Sequence, residues 1–295
     1  MTAGRENLIK RLPPGEGRTF VCGDIHGSYS CVQRFLSESE FDFDKDRLIC
    51  AGDLIDRGPE NERCLDLLYE PWFFSTVGNH EQLMLAFSTS APDGRYWETN
   101  GGTWGVRYFK NWTVEYDEAL GEKVRRVCAD KVKNLPHLIT VEKRGGGIFH
   151  VLHAELPLLV GITDEVLADP VKLEELTFSH NVEGGDFLTW SRNIFFPFYR
   201  RELDEHTIKK IRRGVALNKI DKIFSPKLSH IYSGHTICAG PVIFFGQTNL
   251  DTMAYSSYYP NAKPWAGLTV TEPETGRFWR SNDREFVEIQ PTIIL

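Results

Sequence analysis

A chain of 295 residues with 41% hydrophobic and 25% charged residues has ample apolar material for a sizeable core, and disorder is not indicated. The formal charge of −7 excludes the basic field that a general nucleic-acid or membrane-surface binder needs. The polar start MTAGRENLIKRLPPGEGR does not resemble a signal peptide, and no apolar stretch approaches the roughly 18–20 residues of a membrane span, so a cytoplasmic location is expected.

In chain order, short apolar runs feed directly into turns rich in Gly, Asp, Asn or His. Thr19 to Cys22 runs into GDIHG and a helix from Ser28 to Phe35; Arg47 to Ala51 runs into GDLIDRG and a helix from Asn61 to Tyr69. These read as parallel βαβ units with crossover helices. Trp72 to Val77 enters GNHE, with a further helix from Glu81 to Phe87. Glu115 to Asn134 places Leu120, Val124, Val127, Cys128 and Lys131 at steps of three and four before Pro136, the pattern of a packing helix with one imperfect position. Leu138 to Glu142 and Ile148 to Leu152 flank RGGG as a hairpin, whose second strand reaches HAE. Ser229 to Tyr232 reaches SGHT, and Gly267 to Thr271 with Arg277 to Arg280 forms a second hairpin around EPETG. Cys22, Cys31, Cys50, Cys64, Cys128 and Cys238 form no CxxC pair and read as free thiols.

Ligand-binding groups gather at the carboxyl ends of strands, so the five turns can share one crevice. Divalent first-row metals prefer imidazole and carboxylate ligands supplemented by neutral oxygens, and a hydrolytic pair needs one shared ligand. Asp24 and His26, two apart at a strand end, can hold one ion; Asp53 can bridge; Asn79, His153 and His235 would complete a second site. Gly23, Gly52, Gly78 and Gly234 fit backbone bending tightly near a ligand. His137, His150, His180, His206 and His230 read as structural histidines. Because the candidate site runs from Asp24 to His235, residues 1–295 are expected to form a single domain.

GDIHG, GDLIDRG, GNHE and the later histidines resemble the phosphoprotein phosphatase family of calcineurin-like metallophosphoesterases, over roughly residues 19 to 240. HAE at 153–155 in place of HGG, and NGG at 100–102, are closer to the bacterial and bacteriophage, lambda-like, serine/threonine phosphatases. The resemblance implies an α/β two-sheet sandwich flanked by helices and a phosphomonoesterase acting on phosphorylated protein or peptide by attack of a metal-bridging hydroxide on phosphorus. It implies that Asp24, His26 and Asp53 bind one metal and Asp53, Asn79, His153 and His235 the other, with Mn²⁺ expected and Fe, Zn or Mg as other occupants of similar ligands. It further implies that Arg57 and Arg192, with Asn79 and His80, bind the phosphate, and that His80 paired with Asp56 protonates the leaving group. Arg192 could equally pair with a surface carboxylate, and Asp56 could be a structural turn residue. The alternative activity is a nucleotide or RNA-end phosphoesterase on the same core, such as a dinucleoside polyphosphate hydrolase or a 2′,3′-cyclic phosphodiesterase. A scaffold that has lost catalysis is disfavoured by the intact set of six ligands with His80, Asp56 and Arg57.

Overall fold

The computed structural model describes residues 7–90, 94–105, 107–110, 113–156, 161–178, 186–218 and 227–294. In chain order the strands are β1 (Ile9–Leu12), β2 (Thr19–Cys22), β3 (Arg47–Cys50), β4 (Phe73–Ser75), β5 (Arg107–Lys110), β6 (Thr113–Tyr116), β7 (Leu138–Glu142), β8 (Ile148–Leu152), β9 (Ile231–Ser233), β10 (Val242–Phe244), β11 (Gln247–Asn249), β12 (Leu268–Glu272), β13 (Arg277–Ser281), β14 (Phe286–Ile289) and β15 (Thr292–Ile293). One sheet has the order β14-β13-β12-β2-β3-β4, a second the order β1-β7-β8-β9-β11-β10-β15, and β5 pairs with β6 separately.

The runs TFVC and RLIC form β2 and β3 because both of their faces are covered, which makes a strand read as continuously apolar. Alternate side chains leave in opposite directions. Phe20, Cys22, Leu48 and Cys50 pack under helices α1 (Tyr29–Glu38) and α2 (Asn61–Asp66) with Phe35, Leu36, Cys64 and Leu65. Val21, Ile49 and Ala51 face the other sheet and meet Ile139, Val141, Phe149 and Val151. This is the expected two-sheet α/β sandwich, and β2, β3 and β4 are parallel, as crossovers through α1 and α2 require. All six cysteines are free and buried. No helix among the described residues is long and apolar enough to cross a membrane.

Both predicted hairpins form, β7 with β8 and β12 with β13. Among the bounds that differ from expectation, two bear on the packing and on the site. The predicted 115–134 helix loses its first residues: Glu115 and Tyr116 finish β6, and Asp117 caps the helix by accepting the Leu120 N–H at 3.0 Å, so α5 spans Glu118–Asp130 and a 3₁₀ turn covers Val132–Asn134. Val124, Val127 and Cys128 are buried as the spacing implied, while Lys131 lies over the Tyr69 ring at 4.6 Å. Helix α3 (Asn79–Ser90) begins at Asn79 rather than at Glu81, which puts Asn79 and His80 in its first turn.

Phe20 is 1% exposed, with its ring 5.1 Å from Phe35 and 6.1 Å from Trp279. Phe20→Ala should cost about 3–5 kcal/mol in urea unfolding, the usual range for emptying a core aromatic site. Phe43→Ala, at a position 55% exposed, should cost about 1 kcal/mol or less in the same measurement.

Candidate active site

The five turns come together where β2, β3 and β4 of one sheet and β8 and β9 of the other end. Asp24 and His26 follow β2; Asp53, Asp56 and Arg57 follow β3; Asn79 and His80 open α3; His153 follows β8; His235 follows β9. Apart from Arg57, which is half-buried, these side chains are buried. The backbone bends sharply there, with His26, Asp53, Asp56, Arg57 and His235 at φ of 45°, 51°, 74°, 69° and 66°. Each such non-glycine residue costs on the order of 1–3 kcal/mol and persists only where its surroundings over-determine it.

Those surroundings are hydrogen bonds. The Asp53 carbonyl accepts from Ile25 N (3.1 Å) and His26 N (2.8 Å), which ties the first turn to the second. The buried Glu81 carboxylate accepts from Asp53 N and Gly78 N, both at 2.9 Å, and from Leu54 N at 2.8 Å, which ties the second turn to the third. Burial, and after it the Asp53 charge, push the Glu81 carboxyl up to about 8 against the pull of these N–H groups. Gly52 fills the remaining constraint: it sits at φ 94°, and a Cβ there would be 2.9 Å from Gly78 backbone and His153 Nδ1.

Three histidines each point one ring nitrogen at a main-chain carbonyl: His26 Nδ1 at Ile55 O (2.7 Å), His153 Nδ1 at Ala51 O (2.7 Å) and His235 Nε2 at Trp190 O (3.2 Å). A carbonyl only accepts, so these nitrogens carry the proton and the opposite ones carry lone pairs. The lone pairs converge on acceptors. His26 Nε2 is 3.7 Å from Asp24 Oδ2 and 3.5 Å from Asp53 Oδ2. His153 Nε2 is 3.4 Å from Asp53 Oδ1, 3.0 Å from Asn79 Oδ1 and 3.2 Å from His235 Nδ1. Asp24 itself accepts the His235 N–H at 2.9 and 3.1 Å. Burial holds all three imidazoles below their ordinary pKa, helped by Arg57 at His26 and by Arg192 at His235. Burial, then the Asp251 and Asp53 charges, holds the Asp24 carboxyl well above its ordinary value. Acceptors facing acceptors in a buried cluster call for a cation between them, and neutral imidazoles with carboxylates are the donors that first-row divalent metals take. The residues fit such metals. Two groups within ligand reach, His26–Asp53–His80 and Asp53–His153–His235, share Asp53.

His80, read from the sequence as a proton donor, stands 3.7 Å from Asp53 Oδ2, against 3.5 Å for His26. Its Nδ1–H donates to Asp56 Oδ2 at 2.6 Å, which leaves Nε2 facing the centre. Arg57 donates to Nε2 of His26 at 2.7 Å and of His80 at 2.9 Å, and lies 5.4 Å from the Tyr255 ring centre. Arg192 pairs with no surface carboxylate among the described residues; its Nη1 donates to the His235 carbonyl at 2.5 Å. Of the histidines read as structural, His150 bonds Thr140 and Asp164, His137 pairs with Asp186, His230 bonds Thr248, His206 is exposed, and His180 lies outside the described residues.

Several site residues escaped the sequence reading. Glu155 of HAE is buried and accepts from Ser191 Oγ (2.6 Å), Ile194 N (2.9 Å) and Phe195 N (3.2 Å), so it anchors the segment that carries Arg192. Its motif was visible; its partners were not. Asp251 is buried beside Asp24 with Oδ2 unpartnered. Asp56 accepts not only from His80 but from the indoles of Trp97 and Trp104.

The Calcineurin-like phosphoesterase family profile matches residues 17–238. The chain is 42% identical to Serine/threonine-protein phosphatase 2 of Salmonella typhimurium (strain LT2) over 142 residues, which cover 47% of this chain and 58% of that one, so the match spans less than two thirds of that relative. It is 34% identical to Serine/threonine-protein phosphatase 2 of Escherichia coli (strain K12), covering 60% of this chain and 79% of that relative. The fold is similar to that of a protein serine/threonine phosphatase from Saccharomyces cerevisiae, with a TM-score of 0.50 at 18% identity over 97% of this chain and 84% of that one. With its matched segment containing every turn of the site, the chain belongs to the calcineurin-like phosphoesterase family.

Proposed function

We propose that this chain is a metal-dependent phosphomonoesterase of the protein serine/threonine phosphatase type, working in the cytoplasm with two divalent cations, Mn²⁺ foremost. The observation that carries the reading is the pair of acceptor groups sharing Asp53, with an arginine and a histidine–aspartate pair beside it. Residues 1–295 are read as one catalytic domain, because residues from Asp24 to His235 contribute to the site.

Asp24, His26 and Asp53 would hold one cation, and Asp53, Asn79, His153 and His235 the other. When bound, such a pair would supply Lewis-acid charge and an acidified water, whose pKa falls to near neutral. The chain's own residues do the rest. Arg57 and Arg192 offer N–H groups to the phosphoryl oxygens, where they stabilise the charge of an in-line displacement. Asn79 and His80 border the same position. In its imidazolium form, with Nε2 released from the Arg57 N–H that it accepts here, His80, oriented by Asp56, gives the Nε2 proton to the departing alkoxide oxygen, which matters for serine and threonine because their alkoxides are poor leaving groups. Glu155 acts at one remove by fixing the Arg192 segment.

Turnover of phosphoserine peptide should exceed that of dinucleoside polyphosphate and 2′,3′-cyclic nucleotide, should disappear with a chelator and should return with two equivalents of Mn²⁺. Faster turnover of the nucleotide substrates would replace the protein-phosphatase reading, and full activity with one bound ion would remove the dinuclear scheme. His80→Asn should lower kcat on phosphoserine peptide by about 10²-fold or more with metal content retained, and far less on p-nitrophenyl phosphate, whose leaving group needs little protonation. Arg57→Ala should impair both substrates. Glu155→Ala, which strands buried donors, should cost about 1–3 kcal/mol of stability in denaturant unfolding and raise KM for both substrates.

A further inference from the structure

We infer that Trp97 and Trp104 are positioning residues for catalysis, whose indole N–H groups hold Asp56 so that His80 presents Nε2 to the reacting phosphate. The inference rests on the reading of His80 as the proton donor. Asp56 is fully buried, and three N–H groups converge on its two oxygens. His80 Nδ1 donates to Oδ2 at 2.6 Å, Trp97 Nε1 donates to the same oxygen at 2.9 Å, and Trp104 Nε1 donates to Oδ1 at 2.6 Å. A carboxylate held on both oxygens cannot rotate about its χ2 without breaking at least one buried bond. With the indoles removed, Asp56 keeps His80 as its one side-chain donor among the described residues, and the dyad can turn as a unit.

The segment that supplies the indoles is shaped around them. Helix α4 (Gly94–Thr99) carries Trp97, and a 3₁₀ turn at Gly102–Gly105 carries Trp104. The two rings meet edge to face at 5.9 Å. An added Cβ would be 2.4 Å from the Trp97 ring at Gly102 and 2.5 Å at Gly105, so main chain lies directly against the indole. Gly101, at φ 111°, brings that main chain to the Asp56–Arg57 turn, where a Cβ would be 3.2 Å from Arg57 N. The NGG block is thus the hinge that folds two tryptophans over one aspartate, 41 and 48 residues away in sequence.

The test removes the N–H while keeping the ring. At position 104, which is half-buried, the indole is replaced by benzothiophene through genetic-code expansion, and Trp104→Phe is made in parallel. With melting temperature and metal content at wild-type levels, kcat on phosphoserine peptide should fall about 10-fold and kcat on p-nitrophenyl phosphate no more than about 2-fold, with KM for each unchanged, the signature of a weakened proton donor. Equal losses on both substrates, or no loss in the benzothiophene protein, would overturn the inference. Should Trp104→Phe not fold, the benzothiophene protein alone decides. His80→Asn separates the two levels: equal losses there remove the proton-donor reading itself, whereas a selective loss there without one at position 104 removes only the role of the tryptophans.

Discussion

Asp53 holds the site together through every polar group it owns. Its carbonyl takes the N–H groups of Ile25 and His26, its own N–H goes to Glu81, and Oδ1 takes the His80 N–H at 3.0 Å. Its side chain also lies within reach of His26, His80 and His153. The left-handed backbone at φ 51° is what lets one residue face three loops at once, and it is tolerated because so many bonds fix it. Displacing Asp53 would therefore disturb the relation among three turns, not one ligand. The sandwich serves this arrangement by ending β2, β3 and β4 side by side in register.

The two sheets contribute differently. The β2–β3–β4 side supplies carboxylates, an amide, Arg57 and the His80–Asp56 pair, while the β8 and β9 ends supply the two imidazoles that close the cluster from across the interface. Sandwich packing through Val21, Ile49, Val141 and Val151 sets the distance between these halves. The departure from HGG at 153–155 acquires a physical sense here. Glu155 gives the Arg192 segment an acceptor that a glycine could not provide, so the second arginine is tied to the same loop as His153.

Much of this was legible. Residues at strand ends with ligand chemistry, Asp24, His26, Asp53, Asn79, His153 and His235, are found by type and position, because strand ends in such sheets share a crevice. What escaped has identifiable causes. Strand β11 is Gln247–Asn249, fully buried yet polar: Gln247 accepts the Leu156 N–H and Asn249 donates to the Gly234 carbonyl, so no apolar alternation announces it. The left-handed backbone falls on His, Asp and Arg, residue types that do not advertise it as glycine does. Trp97 and Trp104 look like core aromatics in a sequence, since nothing local tells an indole that packs from one that also donates to a distant carboxylate. The lost first residues of the 115–134 helix follow from Asp117, whose side chain caps more favourably than Glu115 or Tyr116 can.

The three imidazoles of the acceptor cluster take their orientation from the carbonyls of Ile55, Ala51 and Trp190. A carbonyl neither titrates nor changes when its residue is replaced, so those tautomers are written into the main chain and survive substitution of the side chains at 55, 51 and 190. Of the four histidines at the site, His80 alone takes its orientation from a side chain. Under the proposed roles, the cation-facing geometry of this chain is thereby insulated from side-chain substitution, while His80, the proposed proton donor, is left exposed to mutation at Asp56 and at whatever surrounds it. Variation among related chains should then touch leaving-group preference more readily than the capacity to hold metal.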